Sequence, residues 1–367
     1  MKLPAYTRCR VLHSPNNKQS GLALITVLFI FALVSLMAIS MQQRQALDIA
    51  QASTTFTQSQ AMQLVMSAEE IAKAGLSFDL NRDINQSEEW DTASELWNQA
   101  FPTQIDNAFV EVRIRDLQGL FNLNWLHPAA SNPSLALARF KRLITIVDPL
   151  FSDASAVANN LRDWFTPSSS ANYIYENNTP PYRAGEIVMT HPSELKLVEG
   201  VTNELFYALE PHITALPSSI QLNINTTTAK VLSAWDSALS ETDAEALVKK
   251  TRSGSCGKDR GVALYKTVSD FMSDPIIEAI TSKATSTVPA TIVAADFAVN
   301  STYFSILSRV TLDIDGDTIN DADINTESIL RRKPNSTGNN DGFTGIIYRD
   351  LSRKPEDHNH LKIVDCT

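Results

Sequence analysis

The sequence predicts an α+β fold: one long N-terminal helix packed on a small antiparallel sheet, with a large all-helical insertion between the strands. Three observations predict it. A stretch free of glycine and proline runs from Leu22 to Ala74. A strand pattern at Phe109–Asp116 returns only at Tyr303–Leu312, Glu327–Arg332 and Gly345–Arg349. Between these, capped helical segments fill about residues 125–294.

The 367 residues, 43 % of them apolar, suffice for more than one packed unit. The formal net charge is −10, yet residues 1–21 carry Lys2, Arg8, Arg10 and Lys18 and no acid, so the body is more acidic than the whole. So acidic a body repels nucleic acid, whose binding rests on Lys and Arg neutralising phosphates. Of three cysteines, Cys9 lies in the basic leader, leaving Cys256 and Cys366. That pair fits one disulfide in an oxidising compartment, with two buried thiols as the alternative.

No charged residue occurs from Gly21 to Met41, about the length that spans a bilayer core as a helix. Basic residues before it and an acidic body after it predict the leader inside and the body outside. A cleaved secretory signal has the same order of regions, but this apolar run is long and no small-x-small site followed by a loop ends it. The helical pattern instead continues, with Ala52, Phe56, Leu64, Ala68, Ala72 and Leu76 on one stripe interrupted at Gln60. Gly75 supplies the stop. About 53 residues of helix give roughly 80 Å at 1.5 Å per residue.

Val110, Val112 and Ile114 alternate with Glu111, Arg113 and Arg115, one face buried and one wet. The helical block reads as Ser134–Val147, Asp153–Trp164, Pro192–Val198, Asn203–Leu209, Thr227–Trp235, Thr242–Lys250 and Ser269–Met272 with its continuation. Ser152, Thr226 and Ser240 offer caps. The chain thus divides into a leader (1–21), a transmembrane and amphipathic helix (22–76), the first part of an α/β domain (77–124), an inserted helical domain (125–294) and the second part of the α/β domain (295–367).

Lys18-Gln-Ser-Gly21 followed by Leu22-Ala-Leu-Ile-Thr-Val-Leu28 resembles the processing signature of type IV pilins and type II secretion pseudopilins. That resemblance implies cleavage between Gly21 and Leu22 by prepilin peptidase and methylation of the new amino terminus. Most members carry Glu at the fifth mature position, where it pairs with a neighbour's amino terminus; here that position is Thr26. A buried ammonium is costly unless paired, so a subunit without this Glu fits the tip of a filament, where no neighbour follows.

Asp116-Leu-Gln-Gly-Leu-Phe-Asn-Leu-Asn-Trp-Leu126 resembles a segment of the general secretion pathway protein K family. So do Leu161-Arg-Asp-Trp164 with Pro180-Pro-Tyr-Arg183, Ser193–Gly200, and Leu216-Pro217 leading into Asn223-Ile-Asn-Thr226. The resemblance implies a pilin-like α/β domain carrying two sterile-alpha-motif-like subdomains, anchored once in the bacterial inner membrane with its body in the periplasm. It implies I-type and J-type minor pseudopilins, other pseudopilins and prepilin peptidase as partners, and no enzymatic activity. The competing readings are a minor pilin or adhesin-type tip subunit of a type IV pilus, and a membrane-anchored periplasmic hydrolase.

Asp313, Asp315, Asp317, Asp321 and Asp323 crowd one stretch with Ile319 at its seventh position, a density that suits Ca²⁺. The spacing starts as an EF-hand-type loop, but the glycine is displaced and Ile324 stands at the twelfth position; a solvated hairpin tip is the alternative. The resemblance places calcium instead in the loop after the Asp-Trp motif. Only Asp163 and Glu176 remain there as ligands, because most of the expected acids are missing. Ser253-Gly-Ser-Cys-Gly-Lys258 fails the phosphate-loop spacing because Arg252 stands where the first glycine belongs. Glu194–Val201 resembles a helix-hairpin-helix, but Glu194, Glu199, Glu204 and Glu210 against Lys196 make it a structural hairpin and not a DNA grip.

Overall fold

The structure, a computed structural model, describes residues 20–86, 90–166, 172–251, 265–283, 291–314, 316–317, 320–332 and 344–351. The chain divides into two compact units, Met1–Thr57 and Gln58–Thr367.

In the first unit the described residues are one helix, the N-terminal part of α1 (Ser20–Gln86). Its apolar side chains, Leu22 to Met41, are exposed. Two of its hydroxyls bond the helix itself: Thr26 donates to the carbonyl of Ala23 and Ser40 to that of Met37.

In the second unit α1 continues through Gly75 and ends at Gln86, ten residues beyond the end expected at Leu76. A glycine inside a helix costs only about 1 kcal/mol against alanine, and the fully buried Leu76 that follows holds the helix to its core. The buried stripe is Ala61, Val65, Ala68, Ala72 and Leu76. Of the expected stripe, Leu64 is only partly buried and Phe56, in the first unit, is 67 % exposed. A strict four-residue spacing drifts around a helix of 3.6 residues per turn, so the burying face changes register along its length.

That stripe packs on an antiparallel sheet ordered β1–β2–β7–β8–β9, formed by β1 (Phe101–Ile105), β2 (Ala108–Asp116), β7 (Tyr303–Leu312), β8 (Ala322–Arg332) and β9 (Thr344–Asp350). The short strands β3 to β6 lie between β2 and β7 in the chain. Val110, Val112 and Ile114 face the core as alternation predicts, opposite Val310, Ser308 and Ile306 of β7. The expected β8 and β9 are present and longer than predicted. β1 is unpredicted: Phe-Pro-Thr-Gln-Ile lacks alternation, and Pro102 is tolerated because the strand is an edge. Across the helix–sheet seam Glu69, 1 % exposed, accepts from Ser328 and from the Nε of Arg349 at 3.0 Å, tying α1 to β8 and β9.

The insertion leaves β2 and returns to its hydrogen-bonded neighbour β7, and the amide of Leu117 donates to the carbonyl of Tyr303 at 3.1 Å. It therefore spans 117–302, wider than the predicted 125–294. It is helical, with α2 (Pro133–Val147), α3 (Ala154–Phe165), α4 (Asn172–Glu176), α5 (Asn203–Leu209), α6 (Ala229–Ser233), α7 (Glu241–Thr251), α8 (Val268–Met272) and α9 (Pro275–Thr281). Two short parallel strand pairs bracket its halves: β3 (Phe121–Asn122) with β4 (Ile213–Thr214), and β5 (Leu222–Asn223) with β6 (Phe297–Ala298). One apolar core runs through both halves, with Trp235 against Trp125 at 5.5 Å and Phe297 at 5.4 Å between ring centres. Arg142 of α2 caps α6 by donating to the carbonyls of Ala234 and Trp235.

The two asparagines of the Asp116–Leu126 segment are seams. Asn122 both donates to and accepts from the backbone of Leu216 at 3.0 Å, and Asn124 does the same with Met189 at 2.9 and 2.8 Å. Gly119 is required by proximity, since a Cβ there would lie 2.7 Å from the carbonyl oxygen of Thr226. Gly119→Ala is therefore expected to force the two segments apart and cost about 1–3 kcal/mol, read as a lower urea midpoint; an unchanged midpoint would refute this close approach.

Candidate functional site

Three features of the chain bear on function: the anchor helix, the acidic hairpin and the acids at the end of α1. Gly21 and Leu22 lie in the first turn of α1, and Thr26 is exposed one turn later. Its hydroxyl is spent on Ala23 at 2.9 Å, so the position carries neither charge nor a free donor. α1 is the described helix long and apolar enough to cross a membrane.

The Asp-rich stretch is the turn between β7 and β8, as the hairpin reading expects. Gly316 there has φ +75°, the left-handed conformation that glycine permits. Asp313 accepts from the amide of Gly316 and Asp321 from the amide of Ile314, both at 2.8 Å. Asp323 lies on β8 and pairs with Arg309 at 2.8 Å. Asp315 and Ile319 lie outside the described residues, as do Cys256 and Cys366. Asp163 and Glu176 are each engaged by an arginine, Arg162 at 2.9 Å and Arg183 at 3.2 Å.

The described acids that converge with the geometry of a cation site are others: Asp79 and Asp83 on α1 with Asp91 and Glu95 after it, one carboxylate oxygen of each within 4.8 Å of the rest. Arg332 of β8, 2 % exposed, bonds Asp91 and approaches Asp79 at 3.4 Å. Arg332 and the nearby Arg82 against four carboxylates leave an excess of negative charge, which favours the protonated form of some of them. Burial, then the Asp91 carboxylate, raises Asp79 to about 6; burial, then Asp91 and Asp79, raises Glu95 well above the usual range. The sequence signal was two acid pairs at four-residue spacing, 79/83 and 91/95, but their counter-ion lies far along the chain.

No described histidine lines the cleft between α1 and the β1–β2 edge. The imidazole of His127 accepts from the amide of Ala129. Burial, with Lys230 and Arg115 nearby, lowers His212 to about 4. His191 does meet a serine, Ser193 Oγ at 2.7 Å, but it also accepts the Ser193 amide as part of a capping box that starts the 3₁₀ turn Pro192–Leu197. Its Nε2 lies 3.6 Å from Glu327. Ser193 is exposed on that turn. The cleft, about 410 Å³ between α1 and the β1–β2 edge, is lined by apolar side chains that include Ile71, Phe78, Leu96, Phe101 and Ile105.

Family profiles described as type II secretion system (T2SS), protein K, match residues 119–218 and 222–291, the two halves that the parallel strand pairs bracket. Type II secretion system protein K of Klebsiella pneumoniae is 29 % identical over 222 residues, covering 58 % of this chain and 67 % of the relative. That of Pseudomonas aeruginosa is 29 % identical over 228 residues, covering 59 % and 68 %. Over residues 119–291 the chain is similar to the type II secretion system protein K family. A solved relative shares the family's fold: a chain of the GspK–GspI–GspJ complex from the enterotoxigenic Escherichia coli type 2 secretion system, at TM-score 0.62 and 22 % identity, with 81 % of this chain and 97 % of that one covered. The family is a structural, pseudopilin component of type II secretion, and the long apolar α1 fits a membrane anchor.

A carboxyl whose folded pKa is raised holds its proton more tightly in the folded chain, so its contribution to stability is lost as pH rises from its ordinary value of 3.8 to about 6. Asp79→Asn is expected to remove that loss, on the order of 3 kcal/mol above pH 6. Thermal melts from pH 4 to 7 test this, and parallel profiles for variant and wild type would refute it.

Proposed function

We propose that this chain is a non-enzymatic minor pseudopilin at the tip of a type II secretion pseudopilus, where it initiates assembly and supports export across the outer membrane. The observation that carries the reading is the similarity to this family joined to Thr26, an uncharged residue where a subunit stacked beneath another needs an acid. Leu22–Met41 anchors the protein in the inner membrane with the body in the periplasm. An insertion of domain size on the sheet obstructs further subunits above it, which suits a cap. I-type and J-type minor pseudopilins are the partners, in line with the complex named for the solved relative. The apolar cleft beside β1 offers surface of the kind that subunit contacts cover.

Co-expression of the full chain with I-type and J-type minor pseudopilins and prepilin peptidase, followed by detergent extraction and size-exclusion chromatography, tests the role. The expected result is one co-eluting complex in which this chain begins at Leu22 with a methylated amino terminus. Elution alone, or a different first residue, overturns the reading.

We further propose that calcium binds the β7–β8 turn through Asp313, Asp315, Asp317 and Asp321, with Ile319 supplying a carbonyl; Asp323 is committed to Arg309. Calorimetry is expected to show calcium binding that the Asp315→Ala, Asp317→Ala double variant loses. Unchanged binding would exclude the turn. Asp163 with Glu176 and the acids at the end of α1 would then be the next places to look. Cys256 and Cys366 are proposed to form the disulfide, which mass mapping under non-reducing conditions checks.

A further inference from the structure

The apolar cleft of about 410 Å³ has β2 as its floor, the edge strand β1 as one wall and α1 as the other. On the α1 wall Leu64, Ile71 and Phe78 stand seven residues apart, with Ser67 and Gly75 in the gaps. This seam is distinct from the stripe that packs on the sheet, and Ile71 and Phe78 are 69 % and 71 % exposed. Apolar side chains repeating every seven residues along one side of a helix are the pattern by which a second helix interlocks with it. Gly75 adds a second sign. A glycine inside a helix is less stable than alanine, and a Cβ here would meet nothing within 4 Å, so no described part of the chain requires it. What a glycine on an open helix face permits is the close approach of another backbone.

Of three kinds of occupant, two fit poorly. A strand added to β1 needs amides along the free edge, and Pro102 has none. A small ligand needs converging polar groups. Across the apolar stretch only Ser67 and Thr103 bring hydroxyls; that of Ser67 is spent on the carbonyl of Gln63 at 2.8 Å, and the indole N–H of Trp97 on Glu95. A helix fits. From Leu64 to Arg82 the wall runs about 27 Å at 1.5 Å per residue, about five turns. Its lining is uncharged up to Phe78 and ends at Asp79 and Arg82. Behind Asp79 stand Asp83, Asp91 and Glu95 against Arg332. Even with Glu95 holding its proton, three acids against two arginines leave that end negative, and its complement is a cation.

We propose that this groove receives a helix of a partner pseudopilin, apolar on the side that faces the seam, closest to α1 at Gly75 and basic where it passes Asp79. On the minor-pseudopilin reading, on which this rests, a cap occurs once per filament, so the helix belongs to a partner and not to a second copy.

The full chain is co-expressed with I-type and J-type minor pseudopilins and purified in detergent, as wild type and as Gly75→Leu. Alone, Gly75→Leu is expected to melt at or above the wild-type midpoint, since its side chain enters open space. In the complex that side chain takes the helix's place, and partner affinity is expected to fall roughly tenfold or more. A benzoyl-phenylalanine replacing Ile71 is expected to cross-link, under light, to a helical segment of a partner that carries Lys or Arg about two turns away. Unchanged partner affinity in Gly75→Leu, a lowered midpoint of the chain alone, no cross-link, or a cross-link to this chain itself or to a segment without such a base overturns the proposal. A wild type that binds neither partner overturns the underlying reading and the groove's occupant with it; that failure is told apart because the wild type itself shows it.

Discussion

The body of this protein is held together at one buried carboxylate. Asp116, the last residue of β2, accepts from the amide of Gln118 at 2.8 Å, Asn223 Nδ2 at 3.2 Å, Thr226 Oγ1 and Ser301 Oγ at 2.6 Å. Those donors come from both ends of the insertion and from its middle. Ser301 passes the network on, its amide to Asp91 and its carbonyl to Arg332, which in turn reaches Asp79 of α1. Polar contacts therefore join α1, the sheet and the insertion in one connected chain. Burying a carboxylate is costly, and burial raises Asp116 to about 6 even with these donors. The return is geometric, since directional bonds fix where a large helical block meets a small sheet, which apolar packing alone leaves free to slide.

Much of this architecture was legible in the sequence because it rests on local signals. The uncharged run of α1, the alternation in β2 and the Ser240 cap of α7 depend on neighbours three or four residues away at most, whereas the expected caps Ser152 and Thr226 give way to Asp153 before α3 and Thr228 before α6. What was not legible depends on distant partners. β1 is recruited by the β2 edge and not by its own pattern. α1 outruns Gly75 because Leu76 is buried against the sheet. The outer limits of the insertion are set by the bond from Leu117 to Tyr303, far apart in sequence.

The functional residues divide the same way. Gly21, Leu22 and Thr26 form a linear pattern that a sequence displays whole, and the structure places them at the start of α1. The acidic turn was visible as composition, but composition did not reveal that Arg309 engages Asp323 or that Asp313 and Asp321 cap amides. The acids at the end of α1 went unnoticed although their spacing was plain, since only the fold brings Arg332 among them. The motif Asp-x-x-Gly-x-Phe-Asn-x-Asn acquires a physical meaning: an acid that collects donors, a glycine that lets two backbones touch, and two side-chain amides that tie it to remote backbone segments.

Because the insertion departs from β2 and rejoins at the adjacent β7, its two attachment points are neighbours across one rung of the sheet. A pull transmitted from α1 through Glu69 into β8 and β9 crosses the sheet without threading the inserted block. The block is suspended beside that path as a side load. Its size can grow, or its outer surface be remodelled, without lengthening the path from the helix to β8 and β9.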